Sequence, residues 1–212
     1  MDLRDFISKC EAAGKLKRVK KEVDWNLELS HISKINEEKD GGALLFENVK
    51  GYKNSVLTGA YSTKENFAIA LGLPLGTSMC DMSRHWMQLA IKKTYDPIVV
   101  KDGPILENII ERDKVNLFDF PVPLMYPQDG GRFIGTAATL VTKDPESGWV
   151  NLGTYRMQIL DDKSAGIQII KGKHADFMMK KYQKMGKKMA ALLVIGGDPL
   201  GFLTGSTLVS AE

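Results

Sequence analysis

The stretch Phe118-Asp-Phe-Pro-Val-Pro-Leu-Met-Tyr-Pro-Gln-Asp-Gly-Gly131 constrains this chain more than any other. Prolines 121, 123 and 127 fix φ and lack a backbone donor, so the stretch is neither a helix interior nor a central strand. The periodicity also shifts across it. Helical stripes mixed with short strands lie before it, and β-branched runs separated by turns lie after it. We read it as an extended linker entering a second unit. The 212 residues then divide into an N-terminal α/β domain, 1–117, and a β-rich domain, 118–212.

Within the first unit, Asp2 can cap a helix carrying Leu3, Phe6, Ile7 and Cys10, with Gly14 as its stop. The basic run Lys15–Lys21 alternates Leu16 and Val19 with charge, as an edge strand with a solvated face does. A second helix carries Leu29, Ile32 and Ile35. Residues 43–49 and 55–60 form strands around a turn at 50–54. Thr63 caps a helix containing Phe67, Ala70 and Leu71, and Gly72 ends it. Another helical stretch, 81–94, lines up Met82, His85, Trp86, Leu89 and Lys93.

In the second unit, strands are expected at 133–142, 149–159 and 166–171, joined by turns at Lys143–Gly148 and Asp161–Ala165 as an antiparallel meander. A helix at 175–185 follows. Residues 189–195 are apolar on both faces, as in a fully buried strand, and Gly196–Gly201 reads as a loop.

With 29 basic and 26 acidic residues the net charge is only +3, which demands neither nucleic acid nor a membrane surface. The longest apolar run, Met189–Ile195, is far short of the ~20 residues that span a bilayer. Cys10 and Cys80 make no C-x-x-C pair and read as free, core-like thiols. Acids at Asp2 and Asp5 argue against a leader peptide, so a cytoplasmic protein is expected.

The familiar catalytic motifs G-x-x-x-x-G-K-S/T, H-E-x-x-H and G-x-S-x-G do not occur. Chemistry concentrates instead at Asn151-Leu-Gly-Thr-Tyr-Arg156. The Asn151 amide oxygen suits a hard cation, and the Arg156 fork suits a carboxylate or phosphate. Gly153 permits close backbone approach. Asn151 and Arg156 have opposite strand parity, so the strand must bend at Gly153-Thr154 if both serve one site. His174 precedes a helix, where its imidazole could bind metal or Lys173 could meet a phosphate. Read alone, Arg156, Asn151 and His174 could equally be solvated or capping residues. Asp129-Gly-Gly-Arg132 could be an anion contact or a turn, and His31 and His85 read as structural.

These blocks resemble the UbiD-like decarboxylases, which use prenylated FMN. The resemblance runs from Met1-Asp-Leu-Arg-Asp5 through Gly130-Gly-Arg-Phe-Ile-Gly-Thr-Ala137 and Thr142-Lys-Asp-Pro-Glu146. It continues through Asn151-Leu-Gly-Thr-Tyr-Arg-Met-Gln158, Lys173-His174 and Ile195-Gly-Gly-Asp-Pro199. It implies an α+β fold: an N-terminal α/β domain, then a flavin reductase-like split β-barrel, incomplete at its C-terminus. It implies reversible, non-oxidative decarboxylation of an aromatic acid of phenolic, 4-hydroxybenzoate type or of an α,β-unsaturated acid. Asn151 and His174 match the metal ligands, which hold Mn²⁺ with K⁺ as a second candidate ion. Asn151, Thr154, Tyr155, Arg156, Gln168, Ile169, Ile170, Lys173 and His174 match cofactor-contacting positions, and Arg156 the catalytic arginine. The implied partners are the carboxylic acid, a flavin prenyltransferase that supplies the cofactor, and further copies of the chain in a homo-oligomer. The family's third ligand is a Glu downstream of Pro199, and Glu212 falls a few positions ahead of it. The acid–base Glu and the assembly domain come later still. The chain is therefore expected to be the N-terminal part of such an enzyme. The alternatives are an inactive truncated product or a flavin reductase-like FMN-binding protein.

Overall fold

The computed structural model describes residues 1–91 and 98–207. Helix α1, Leu3–Ala12, begins where the Asp2 carboxylate accepts the Asp5 N–H, and turns Phe6 and Cys10 inward. Strand β1, Leu16–Val19, lies parallel to β2, Ala43–Phe46, with helix α2, Glu28–Glu38, as the crossover between them. Strand β3, Val56–Thr58, pairs antiparallel with β2. The order β1-β2-β3 leaves β1 at an edge, as its charge pattern predicts, and Arg18 on its exposed side binds Glu11 and Glu47. Helix α3, Lys64–Leu71, is capped by Thr63 and ends at Gly72 in the left-handed region, where glycine carries no Cβ penalty. Helix α4, Met79–Ile91, buries Met82 against α3; Lys93 of the predicted stripe lies outside the described residues. Phe6, Cys10, Leu16, Ala43 and Leu45 form one core cluster, and Val23, Leu29, Leu44, Phe46 and Val49 another.

The proline-rich stretch runs extended along residues 25–30. Leu124 exchanges backbone hydrogen bonds with Trp25 and Leu27, and Ser30 Oγ donates to the Met125 carbonyl. Arg132 closes the joint. Its guanidinium lies 4.3 Å from the Trp25 ring centroid and donates to the carbonyls of Val122 and Phe120 and to the Tyr52 hydroxyl. Meanwhile its carbonyl accepts from Ile159. Asp129 accepts from the Tyr126 N–H. Of the two readings of Asp129–Arg132, the turn is the one observed, and the cation serves aromatic rings and carbonyls.

Past the joint, β4, Ala138–Lys143, pairs antiparallel with β5, Val150–Gly153, and with β8, Ala191–Ile195, in the order β5-β4-β8. Strands β6, Met157–Ile159, and β7, Ala165–Ile167, form a separate hairpin. The expected continuous meander is therefore cut at Thr154–Arg156. The expected split barrel is not seen: among the described residues the sheets are small and no closed barrel forms. Helix α5, His174–Lys184, covers one face of β4 and β5. Helix α6, Pro199–Ser206, covers the other. Its start was expected to be loop, but Asp198 accepts the Gly201 N–H and Pro199 fills the first helical position. α6 also reaches back to the first unit: Phe202 stacks on Tyr61 at 5.3 Å, and the Trp86 indole donates to Thr207.

Two further expectations are corrected. Strand β8 is not buried: Leu192 is 68% and Ile195 52% exposed, because α5 and α6 sit over β4 and β5 and leave this edge strand uncovered. Cys80 is exposed on α4, while Cys10 is core, its thiol pushed up to about 11 by burial. Among the described residues no helix is long and apolar enough to cross a membrane.

Candidate functional site

The site forms where the β4–β5 hairpin meets α5. Asn151 and Thr142 are cross-strand partners, so their side chains share a face. Above that face, α5 presents His174, Met178 and Lys181 at helical spacing. Each of the three touches the hairpin. His174 Nδ1 lies 3.0 Å from Asn151 Oδ1. Thr142 Oγ1 donates to the Met178 sulfur at 3.2 Å. Lys181 Nζ is 2.8 Å from both Asp144 Oδ2 and Glu146 Oε2. The Trp149 ring stands edge-on to the imidazole, 5.0 Å away at 80°.

Charge fixes the frame. Asp144 accepts from Lys181 and from the backbone of Ser147 and Glu146, which holds its carboxyl down to about 2. Asp176, buried in the first turn of α5, is held low by Lys180 and by the Gly172 N–H. Lys173 is the N-cap residue; its side chain makes no capping bond and is exposed.

Asn151 is 4% exposed, and among the described residues its Nδ2 has no hydrogen-bond partner. Such a group ordinarily costs about 1–3 kcal/mol, so something other than packing holds Asn151 here. Its oxygen and the His174 nitrogen also suit a cation. A six-coordinate hard divalent ion with bonds of about 2.1 Å holds neighbouring ligand atoms about 3.0 Å apart. The pair fits two positions of such an ion, with Nδ1 losing its proton on binding. Among the described residues no cluster of three or more His, Cys, Asp or Glu accompanies it, and Glu212 lies outside them.

Beyond Asn151 the strand breaks as parity requires. Gly153 has no room for a Cβ, because the Tyr155 ring occupies that position, and the Thr154 N–H turns to the Gly205 carbonyl of α6. Thr154 is exposed, Tyr155 half-buried, and Arg156 exposed with its guanidinium 4.4 Å from the Phe133 ring centroid. Gln168, Ile169 and Ile170 follow β7 in irregular backbone, with Gln168 and Ile170 exposed. The structure thus joins Asn151 to His174 and gives no direct contact from either to Arg156 or to residues 168–170. Sequence reasoning passed over Trp149, Asp144 and Lys181. The signal for Lys181 was its spacing of seven from His174, two turns along one helix face.

Comparison with known proteins gives the family of the chain. The 3-octaprenyl-4-hydroxybenzoate carboxy-lyase Rift-related domain matches residues 98–212, and the N-terminal domain of the same family matches 7–86. A phenolic acid decarboxylase of Sedimentibacter hydroxybenzoicus is 35% identical, over 98% of this chain and 45% of its own length. The vanillic acid decarboxylase of that organism, in closed form, superposes with a TM-score of 0.90 at 34% identity, over 99% of this chain and 45% of its own. An evolved dimeric form of the UbiD-class enzyme HmfF from Pelotomaculum thermopropionicum, in complex with prenylated FMN, gives 0.85 at 34% identity, over 93% and 45%. The chain therefore spans about 45% of the length of these relatives.

Proposed function

The chain belongs to the UbiD family, and from that premise we propose that it is the cofactor-holding part of a non-oxidative carboxy-lyase. The substrate class is an aromatic acid, phenolic as in the named relatives, or an α,β-unsaturated acid. The cofactor would be prenylated FMN with a divalent ion, Mn²⁺, which Asn151 and His174 would hold and which would supply positive charge to the cofactor phosphate. When bound, the flavin supplies the covalent partner and electron sink for the carbon that loses CO₂.

This chain's residues have three tasks. Asn151 and His174 hold the ion through Oδ1 and Nδ1; the observation that carries this reading is their 3.0 Å approach beside an orphaned amide nitrogen. Lys173 and the positive end of the α5 dipole offer charge complementary to a phosphate. Arg156, across the Gly153 bend, orients the substrate carboxylate; a guanidinium stays charged when a ligand covers it, where an ammonium sheds its proton more readily. Thr154, Tyr155 and residues 168–170 line the cofactor, and K⁺ is a second candidate ion. Residues 1–117 and 118–212 act as two units, and further copies of the chain assemble as a cytoplasmic oligomer. A flavin prenyltransferase supplies the cofactor.

The test is expression beside a flavin prenyltransferase, then mass spectrometry of the retained flavin, metal analysis and assay of CO₂ release. In the complete enzyme, Asn151→Ala and His174→Ala should each lower bound Mn²⁺ and flavin at least about tenfold, while Arg156→Ala keeps the flavin and loses turnover. Unchanged flavin retention in the first two variants overturns the metal assignment. Near-wild-type turnover in Arg156→Ala returns that residue to a solvated surface role.

A further inference from the structure

Three side chains of α5 meet the hairpin, and only the first belongs to the proposed ligand pair. His174, Met178 and Lys181 lie at i, i+4 and i+7, so one helix stripe meets Asn151, then Thr142, then Asp144 and Glu146. His174 and Lys181 are about 10 Å apart along the helix axis at about 1.5 Å per residue. A rigid helix pinned at both ends of such a stripe can neither roll nor slide. A roll of one residue, about 100°, would swing the imidazole off the sheet. The far anchor is doubly tied: Asp144 is buried, its Oδ2 accepts from Lys181, and its Oδ1 accepts from the Glu146 and Ser147 N–H groups of the hairpin turn. That turn ends at Trp149, whose carbonyl accepts the Asp144 N–H and whose ring stands against His174. The ammonium thus grips the same turn whose other end abuts the imidazole.

We propose that Lys181 is a positioning residue for the ion site, its ammonium between Asp144 and Glu146 setting the roll and slide of α5 that hold the His174 imidazole against Asn151. The proposal rests on the reading that Asn151 and His174 are the metal ligands. It adds that the pair is set from two helical turns away. Met178 supplies the intermediate contact but no direction, since a thioether accepts weakly from a flexible chain. Lys180, one residue earlier, binds Asp176 within α5 and leaves the hairpin alone, which makes it the matched control.

The test uses the whole chain and needs no bound ion for its first readout. The chain has three histidines, so His174→Ala identifies the His174 ring signals in long-range ¹H–¹⁵N spectra. In the metal-free protein His174 should show one tautomer, protonated at Nδ1, because an amide oxygen can only accept. Lys181→Met keeps the apolar stem and removes the charge. It should shift His174 to averaged tautomer signals and weaken Mn²⁺ binding, followed by the loss of the free-ion EPR signal, at least about tenfold. Lys181→Arg should restore the wild-type tautomer, and Lys180→Met should leave it unchanged. An unaltered His174 tautomer in Lys181→Met, with folding verified by circular dichroism, overturns the proposal. So does a wild-type His174 whose signals are already averaged. Mn²⁺ binding that survives His174→Ala overturns the ligand reading instead, a separate result from either.

Discussion

Residues 1–91 and 98–207 bury different kinds of side chain. In the first region the largest buried side chains, Phe6, Leu29, Phe46, Val49 and Met82, gather in contiguous apolar clusters, with Ser30, Ser33 and Asn66 as the buried polar positions. In the second, Leu140, Ile159 and Met178 are buried, but so are the polar Thr139, Thr142, Asp144, Asn151 and Asp176, and the apolar clusters draw only Leu203 from it. Hydrophobic burial gives roughly 25 cal/mol per Å² and no direction, whereas buried polar groups give direction at a cost in desolvation. The first region is therefore organised for stability. The second spends stability on orientation, and its apolar strand β8 stays exposed at every position but Leu193.

The largest expected effect lies in the first region. Phe46 is fully buried at the centre of its cluster, so Phe46→Ala should cost ~3–5 kcal/mol, a large share of an ordinary domain's stability. Asn151→Ala should cost under ~1.5 kcal/mol, since it loses one hydrogen bond to a half-buried ring and removes an orphaned nitrogen. Urea unfolding of both variants checks the contrast, and comparable losses would break it.

Between the regions sits Arg132, next in expected effect. Arg132→Met should cost about 2 kcal/mol by stranding the Val122 and Phe120 carbonyls, and Arg132→Lys should recover little, because an ammonium cannot reproduce the fork over Trp25. Limited proteolysis should cut near residues 118–131 faster in both. Wild-type resistance would show that the linker is held by its backbone pairing with residues 25–30 alone.

The same division explains what the sequence disclosed. Helix ends at Asp2, Thr63 and Gly72 were legible because capping is local chemistry. The break after Gly153 was foreseen only on the condition that Asn151 and Arg156 serve one site, and the pattern of residues 149–159 otherwise reads as one strand. The α6 start was not read, although Asp198-Pro199 is a helix-opening pair, because Gly201 and Gly205 lower helix propensity inside it. Those glycines answer a tertiary demand: a Cβ at Gly205 would press on Thr139 of β4. β8 was misjudged because an apolar strand pattern reports what could be buried, not whether anything covers it. The Asn151–His174 contact was anticipated only through a family pattern, since nothing in local propensity joins residues 23 apart.

The smallest effect separates two asparagines with one feature in common. Asn66 on α3 is fully buried, and neither its Oδ1 nor its Nδ2 has a hydrogen-bond partner among the described residues; Asn151 shares the orphaned Nδ2. Asn66→Leu, close in shape, removes the unpaired amide and should raise stability by up to about 1 kcal/mol, or roughly 2–4 °C in Tm. In the second region the same exchange, Asn151→Leu, should leave Tm within a similar interval but erase the fixed His174 tautomer and the Mn²⁺ affinity. Scanning calorimetry and the His174 ring spectra read the two outcomes separately. A drop in Tm for Asn66→Leu would mean that its amide is satisfied by an internal water. The contrast between a region built for packing and one built for orientation would then weaken at that residue.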